Sequence, residues 1–555
     1  SYELSLFLTQ GVRAMAGFDL SQSDFILSFG SGLIEGWQSP VYMFKSRSTL
    51  VANGGRMVQV EPRLSKTAAK SDEWVAVKPG TEGALALGIA HEIIKKKLYH
   101  REFINYYASG FAAYEKQIID GYPPEIVSKM TGLPAETIAE LAKKFAAAKK
   151  PLAICGRGQG SDPGGLQEFL AVQCLNALVG NLNRPGGLMA VPEPDYISWP
   201  DVERDKVAAR GAQRDRADGA GSGDFSLARY LLTRVPETIG SAQESPIQVL
   251  FVANSNPMHS LPDSRAVAKA FERIPFVVSF SSVMDETAAA ADLILPNHLY
   301  LERYEDVAAA SGFPQPIIGL VQPVVDPLFN TRHTGDVIIE LARAMGRHIA
   351  EAFAWESYDA CLEETLGDVW DTLTEEGYWL DEEFAAPGWN QMFETDSSQF
   401  EFVNAEIDRL PGYNPVKPEG DDTHYPLVLI PYDSMRLNTG DVASPPFLVK
   451  SVEDTILQGN DVLVEVNPAT AKELGLKQGR LATLATPKGE ARVRVYLFEG
   501  IMPGVVGLVR GLGHTAFDRY LAGKGVNYSA LSAAAEDAAT GHNAAWGIRA
   551  RLSKA

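Results

Sequence analysis

Short apolar runs that stop on a glycine and lead into a helix recur along the first half of this chain, and that grammar constrains the fold more than any other feature. Asp24 to Gly30 (DFILSFG) reads as a buried parallel strand closing on a glycine. Arg56 to Val60 (RMVQV) supplies the next strand and runs into Glu61-Pro62-Arg63. Trp74 to Val77 leads into Pro79-Gly80-Thr81-Glu82, and Ala84 to Lys97 reads as a helix with cations at its C-terminal end. Pro123 to Lys149 carries two further helices, Leu152 to Cys155 is a strand ending in Gly156-Arg157-Gly158-Gln159-Gly160, and Gly165 to Val179 is helical up to the stop at Gly180 to Gly187. Strand, crossover and strand at this spacing predict an α/β fold built on parallel sheets.

The pattern then breaks and resumes. Pro192 to Gly223 is rich in Asp, Arg, Pro and Gly and reads as a surface insertion. Ile247 to Ala253, Phe276 to Phe280 and Leu293 to Leu295 are three more strands, and Thr334 to Met345 is a helix expected to be N-capped by Thr334 or Asp336. Residues 351 to 420 are acidic and aromatic with little regular period, and read as an insertion or linker that packs through its rings. From Tyr425 onward, Leu427 to Ile430, Val462 to Val466, Leu481 to Thr486, Ala491 to Leu497 and Gly504 to Val509 sit between glycine turns and predict a separate barrel beginning near residue 421.

A chain of 555 residues is too long for one hydrophobic core, and 45% hydrophobic with 22% charged residues is ordinary globular composition. The net charge of -20 repels nucleic acid and favours basic partners, which argues against duplex binding. No apolar stretch approaches the roughly 20 residues of a bilayer-spanning helix, so membrane association is expected through a partner. The chain opens Ser1-Tyr2-Glu3-Leu4, with neither an initiator Met nor a secretory pattern, and processing or incomplete coverage is expected to account for that. Cys155, Cys174 and Cys361 are too few for a four-thiolate cluster and read as packing residues, with a reactive Cys155 as the alternative.

Glycines directly after strands let backbone amides approach a phosphate. Gly30, Gly80 with Thr81, and Gly156 with Gly158 are such places, although each also reads as a simple turn. Glu61 and Glu82 suit a ribose hydroxyl pair or a guanine amino edge, and equally a helix cap. Asn254, Asn256, Ser260 and Asp263 follow a strand and offer amides, a hydroxyl and a carboxylate. Glu286 and Thr287 precede another strand, after which Asn297 and His298 are expected to face the crevice. His259, His298, His333, His514 and His542 stand among glycines or prolines, which reads as accessible ground, but they do not group into a metal site. HExxH, GxSxG and P-loop patterns are absent, no catalytic acid or base stands out, and hydrolase and kinase readings fall.

In order along the chain, SDFILSFG, VEPR, KPGTEGALAL, PLAICGRGQG, LVGNLNRPGG, ANSNPMHSLPD, DETAAAADLILPNHLYLER, VNPATAKELGLKQG and VNYSALSAAAEDAATGHNAAWGIRARL resemble the landmarks of the molybdopterin (bis-guanine-dinucleotide) oxidoreductase family. The resemblance implies a multi-domain α/β body with two parallel-sheet nucleotide-binding-like domains and a C-terminal β-barrel-like domain. It would divide the chain into 1–19 and 161–350 as a split α/β domain with an insertion at 192–240, 20–160 as the first dinucleotide-binding-like domain, 351–420 as the insertion and 421–555 as a six-stranded-type barrel. By that similarity Gly30, Glu61, Gly80, Thr81 and Glu82 face one dinucleotide, Asn254, Asn256, Ser260, Asp263, Glu286 and Thr287 face the other, and Asn527 closes over the pterins.

Departures from the family pattern matter as much. Members ordinarily carry a cysteine-rich iron-sulfur segment and a metal-ligating Ser, Cys or selenocysteine before the region where this chain begins, so a cluster is possible only in sequence before Ser1. Where catalytic members have Glu-x-x-Gly-Thr, this chain has Glu302-Arg303-Tyr304-Glu305-Asp306, which puts a pterin contact in question. The segments Glu35-Gly36-Trp37-Gln38-Ser39-Pro40 and Leu301-Glu302-Arg303 look closest to the molybdopterin-binding-like subunits of bacterial menaquinone reductase complexes and alternative complex III. That resemblance implies a peripheral subunit on the periplasmic face of the inner membrane, among multihaem cytochrome c, ferredoxin-like iron-sulfur and integral membrane quinone-binding subunits. No molybdenum chemistry of its own is expected on this reading. The alternative is a catalytic subunit holding molybdopterin guanine dinucleotide with molybdenum or tungsten, of polysulfide, thiosulfate or formate type.

Overall fold

The computed structural model describes residues 1–157, 164–194, 204–410, 412–438 and 446–555. Among them, four parallel strands form a first sheet in the order Glu73–Val75, Arg56–Val60, Phe25–Phe29, Pro151–Cys155. Phe25–Phe29 lies in the interior of that sheet and is buried at every position, which is why it reads as an unbroken apolar run rather than an alternating one. The helix Glu82–Lys95 begins before the expected Ala84, and its residues from Glu82 to Ile94 are all buried because Pro124–Thr131, Ala135–Ala147 and Leu166–Leu178 pack around it. The N-terminal helix Tyr2–Gln10 is tied to the edge of the sheet, where the Tyr2 hydroxyl donates to Cys155 O at 3.0 Å and accepts from Cys155 N at 2.7 Å.

A second parallel sheet runs Leu293–Ile294, Phe276–Ser279, Val249–Val252. Helices Val235–Ser241 and Ser264–Phe271 cover one face through Ile239, Ala270 and Val277. Val249, Phe251, Phe276 and Leu293 remain exposed. A small antiparallel sheet follows, Glu305–Val307, Ile317–Val321 and Tyr378–Leu380.

Residues 351 to 420 are more regular than expected. Helices Tyr358–Leu366 and Trp370–Glu376 seat Leu362, Leu366 and Leu373 against Ile318 and Leu320. Their apolar spacing is helical, but the helices are short and their remaining positions are acidic, which hides the period. Further on, Trp389, Met392, Phe400 and Phe402 join the core of the first sheet, and Phe400 pairs with Ala108. The stretch is thus shared between two cores.

The C-terminal strands Asp461–Val466, Gly489–Leu497, Leu481–Thr486, Ile548–Lys554, Leu427–Tyr432 and Val505–Val509 lie side by side in that order, and the last pairs back to the first to close a barrel among the described residues. Ile548–Lys554 completes that ring between two expected strands. The helix Thr334–Met345 is N-capped by neither expected residue: His333 Nδ1 accepts from Gly335 N at 2.9 Å, while Asp336 Oδ1 is taken by Tyr358 N at 2.7 Å. All three cysteines are buried, and burial pushes the Cys174 thiol up to about 12. No helix among the described residues is long and apolar enough to cross a membrane.

Candidate functional site

Because the strands of the first sheet are parallel, their carboxyl ends meet along one edge, where an open α/β sheet leaves a crevice. Gly30 follows Phe29 with φ 78°, Gly80 precedes the buried helix with φ 79°, and Gly156 follows Cys155 with φ 81°. These are left-handed conformations that favour glycine. Gly158 lies outside the described residues.

The side chains gathered at that edge engage one another. The indole of Trp546, delivered by the C-terminal segment, covers Gly30 so closely that a Cβ there would come within 3.2 Å of Cζ2. Arg157 lies 4.0 Å above the same ring and donates from Nη2 to Pro431 O at 3.0 Å. Ser65 donates its hydroxyl to Glu61, and burial still raises that carboxyl to about 7. Thr81 donates to Lys78 O at 2.7 Å.

Glu82 is different. It is wholly buried, neither carboxylate oxygen has a side-chain hydrogen-bond partner among the described residues, and burial raises its pKa to about 8 even with Arg157 nearby. The buried Glu168 is pushed well above the carboxylate range by burial and by Glu82. Burial thus favours the protonated form of both acids, which limits the cost of burying them. A cavity of about 180 Å³ beside Glu168 is bordered also by Gly80, Tyr413, Asp537 and Trp546. Ordinary small-molecule sites run to roughly 300–1,000 Å³.

At the second sheet Asn256, Glu286 and Thr287 form a hydrogen-bonded network, and the other candidate polar residues lie around it. Asn256 Nδ2 donates to Glu286 Oε2 at 2.7 Å, and Asn256 Oδ1 accepts from Thr287 Oγ1 at 2.7 Å and Thr287 N at 3.2 Å. Glu286 also faces His514 Nδ1 at 3.0 Å and accepts Thr515 N at 2.6 Å and Ala516 N at 3.2 Å. Burial would raise this carboxyl, but the His514 contact and the other donors hold it well below the carboxylate range. Asn527 Nδ2 donates to His259 O at 2.9 Å, and the Ser529 hydroxyl donates to Ser260 O at 3.0 Å. Asp263 caps the helix Ser264–Phe271 and pairs with Lys488 at 3.3 Å. Asn254 stands exposed with φ 49°.

Two sequence expectations change. His259, His333 and His514 are not accessible: all three are buried, and the rings of His259 and His514 stack 3.8 Å apart at 7°. The glycines around them bring chain segments together rather than open them to solvent. Asn297 is buried with Oδ1 accepting from Thr334 N at 3.0 Å, and His298 Nδ1 lies 2.7 Å from Thr331 Oγ1, so both serve the loop beside the next helix. In the Glu302–Asp306 departure, Arg303 pairs with Glu305 at 2.6 Å and Asp306 accepts the Tyr358 hydroxyl at 2.9 Å. Trp546, Arg157 and Glu168 were not singled out by sequence. Among the described residues no three His, Cys, Asp or Glu side chains gather as a metal site.

As arranged, Gly30 and the Asn256, Glu286 and Thr287 cluster do not fit a dinucleotide unless protein partners are displaced. The Trp546 indole lies against the backbone of Gly30, and at the second sheet the polar side-chain atoms of Asn256, Glu286 and Thr287 are bonded to protein partners.

Family models for molybdopterin oxidoreductase and for the molydopterin dinucleotide binding domain match residues 6–344 and 450–545. The chain belongs to the molybdopterin oxidoreductase family. It is 31% identical, over 98% of its length and 73% of the relative's, to the menaquinone reductase molybdopterin-binding-like subunit of Nitratidesulfovibrio vulgaris. It is 23% identical, over 97% of its length and 75% of the relative's, to the arsenate respiratory reductase molybdopterin-containing subunit of a Shewanella species. Acetylene hydratase from Pelobacter acetylenicus shares the fold, with a TM-score of 0.78 at 20% identity over 100% of this chain and 81% of that one.

Proposed function

We propose that this chain is a molybdopterin-binding-like subunit of a membrane-associated respiratory complex that passes electrons from periplasmic cytochrome c to menaquinone, without molybdenum turnover of its own. The observation that carries this reading is Trp546 lying across Gly30, so that the protein itself occupies the approach to the first crevice. Likeness along nearly the whole chain to a menaquinone reductase subunit supports it. Partners on this reading are multihaem cytochrome c, ferredoxin-like iron-sulfur and integral membrane quinone-binding subunits, which would hold the chain on the periplasmic face.

One observation favours the catalytic alternative. Glu82 keeps two buried oxygens without a side-chain partner among the described residues, and a guanine amino edge would supply one. Elemental analysis for molybdenum and tungsten on the intact complex, paired with fluorescence of released pterin, separates the readings. The proposal expects neither at stoichiometric level in an active quinone-reducing complex. Stoichiometric metal and pterin assigned to this chain would overturn it.

A further inference from the structure

The net charge of this chain is not spread over it. Between residues 270 and 416 there are 27 Asp and Glu against 6 Arg and no Lys, a net of -21, so this stretch carries the whole excess of a chain whose net charge is -20. From residue 348 to 408 there is neither Lys nor Arg. On Trp370–Glu376, the acids Asp371, Glu375 and Glu376 are exposed.

Within that acidic region two loops present large apolar side chains to solvent. Leu328 is 78% exposed, Phe329 74%, Val324 70% and Tyr300 65%, with Val325 and Leu299 beside them in sequence and half exposed. These loops are pinned to each other. Val324 N and Val325 N donate to Leu301 O at 2.8 and 3.2 Å, and the Glu302 carboxylate accepts from Leu299 N at 2.9 Å and Leu328 N at 3.0 Å. The second loop is also fixed to the acidic helix, since Gln322 Nε2 donates to Thr374 O at 2.9 Å. The backbone is thus hydrogen-bonded in place while the apolar side chains point outward.

A surface cluster of this kind is normally covered by a partner. A second copy of this chain would bring two regions of net -21 together, and an anionic membrane surface would be repelled in the same way. A partner with cations around an apolar contact meets both requirements. We infer that the loops at 299–301 and 324–329 form the centre of a docking surface for a protein partner whose contact face is apolar in the middle and rimmed by Lys and Arg. The inference rests on reading the chain as a subunit of a complex, and Glu302 is the positioning residue that ties the two loops.

The test uses the intact complex recovered through a tag on this chain. Zero-length carbodiimide coupling, which joins carboxylates to lysines, is expected to link Asp326, Asp371, Glu375 or Glu376 to lysines of one other subunit. Introducing Leu328→Asp with Phe329→Asp is expected to lower recovery of that subunit at least tenfold, whereas Tyr106→Asp, at another exposed ring, leaves recovery unchanged. Circular dichroism of the double variant should match the wild type, because both side chains face solvent. Undiminished recovery with the double variant, or couplings from these acids only to a second copy of the chain, would overturn the docking surface while leaving the subunit reading standing. A tagged chain that never recovers other subunits would overturn both.

Discussion

Arg63 and Glu465, 402 positions apart, form a two-pronged ion pair in which Nε meets Oε2 at 2.5 Å and Nη2 meets Oε1 at 2.7 Å. The guanidinium also lies 3.9 Å over the ring of Tyr432, so an Arg after a strand of the first sheet is clamped between two strands of the barrel. Parallel N–H donors in a fixed plane suit a carboxylate as a lysine cannot.

Removing one partner of this pair leaves a largely buried charge. Arg63→Met or Glu465→Met alone should each destabilise the contact between sheet and barrel by about 3–5 kcal/mol, and the double replacement should recover most of that loss. Urea unfolding followed by tryptophan fluorescence checks this. Equal midpoints for the wild type and both single variants would show that the pair contributes nothing.

Trp546 fills space between two units. Its replacement by alanine removes the ring that covers Gly30 and stacks with Arg157, and should cost about 3–5 kcal/mol. Thermal unfolding is the measurement, and a variant as stable as the wild type would mean that the ring has room to move aside.

Glu82 makes stability depend on pH in a defined direction. Its folded pKa is raised from 4.5 to about 8, so between those values the folded chain holds a proton that the unfolded chain has released. Stability from this group therefore falls as pH rises through that window, by at most ~1.4 kcal/mol per pH unit. Glu82→Gln, which keeps the shape and cannot ionise, should flatten the decline in urea midpoint between pH 5.5 and 8. Identical slopes in the two proteins would contradict the burial assigned to Glu82.

Glu286 has the opposite sign, because its folded pKa is depressed. Its contribution is present above the unfolded value of 4.5 and is lost as pH falls through the folded one. His514→Ala removes one of its partners and the ring stacked on His259. The stability gap between wild type and variant should be widest near pH 7 and narrow below about pH 4. A gap that is constant across that range would assign it to lost packing alone.

Much of the fold was legible because strand and helix periods are local. Arg56–Val60 has the expected bounds, Phe25–Phe29 is one residue shorter than expected at each end, and Pro151–Cys155 begins one residue early. What escaped depends on distant pairing. Ile548–Lys554 alternates apolar and charged residues only as far as Leu552, and it is a barrel strand because Leu427–Tyr432 and Leu481–Thr486 flank it. The site was legible only as residue types. Asn256, Glu286 and Thr287 were picked out, and the structure joins them, but their saturation depends on His514, which lies 228 positions beyond Glu286. Nothing near Trp546 in sequence points to Gly30.

The central claim, that the protein itself occupies the approach to the first crevice, is tested most directly by an electron cryo-microscopy map of the intact complex at a resolution that shows side chains. Indole density for Trp546 against Gly30, with Arg157 stacked on it, is the predicted result. Pyrophosphate density resting on Gly30 with the indole displaced would contradict it.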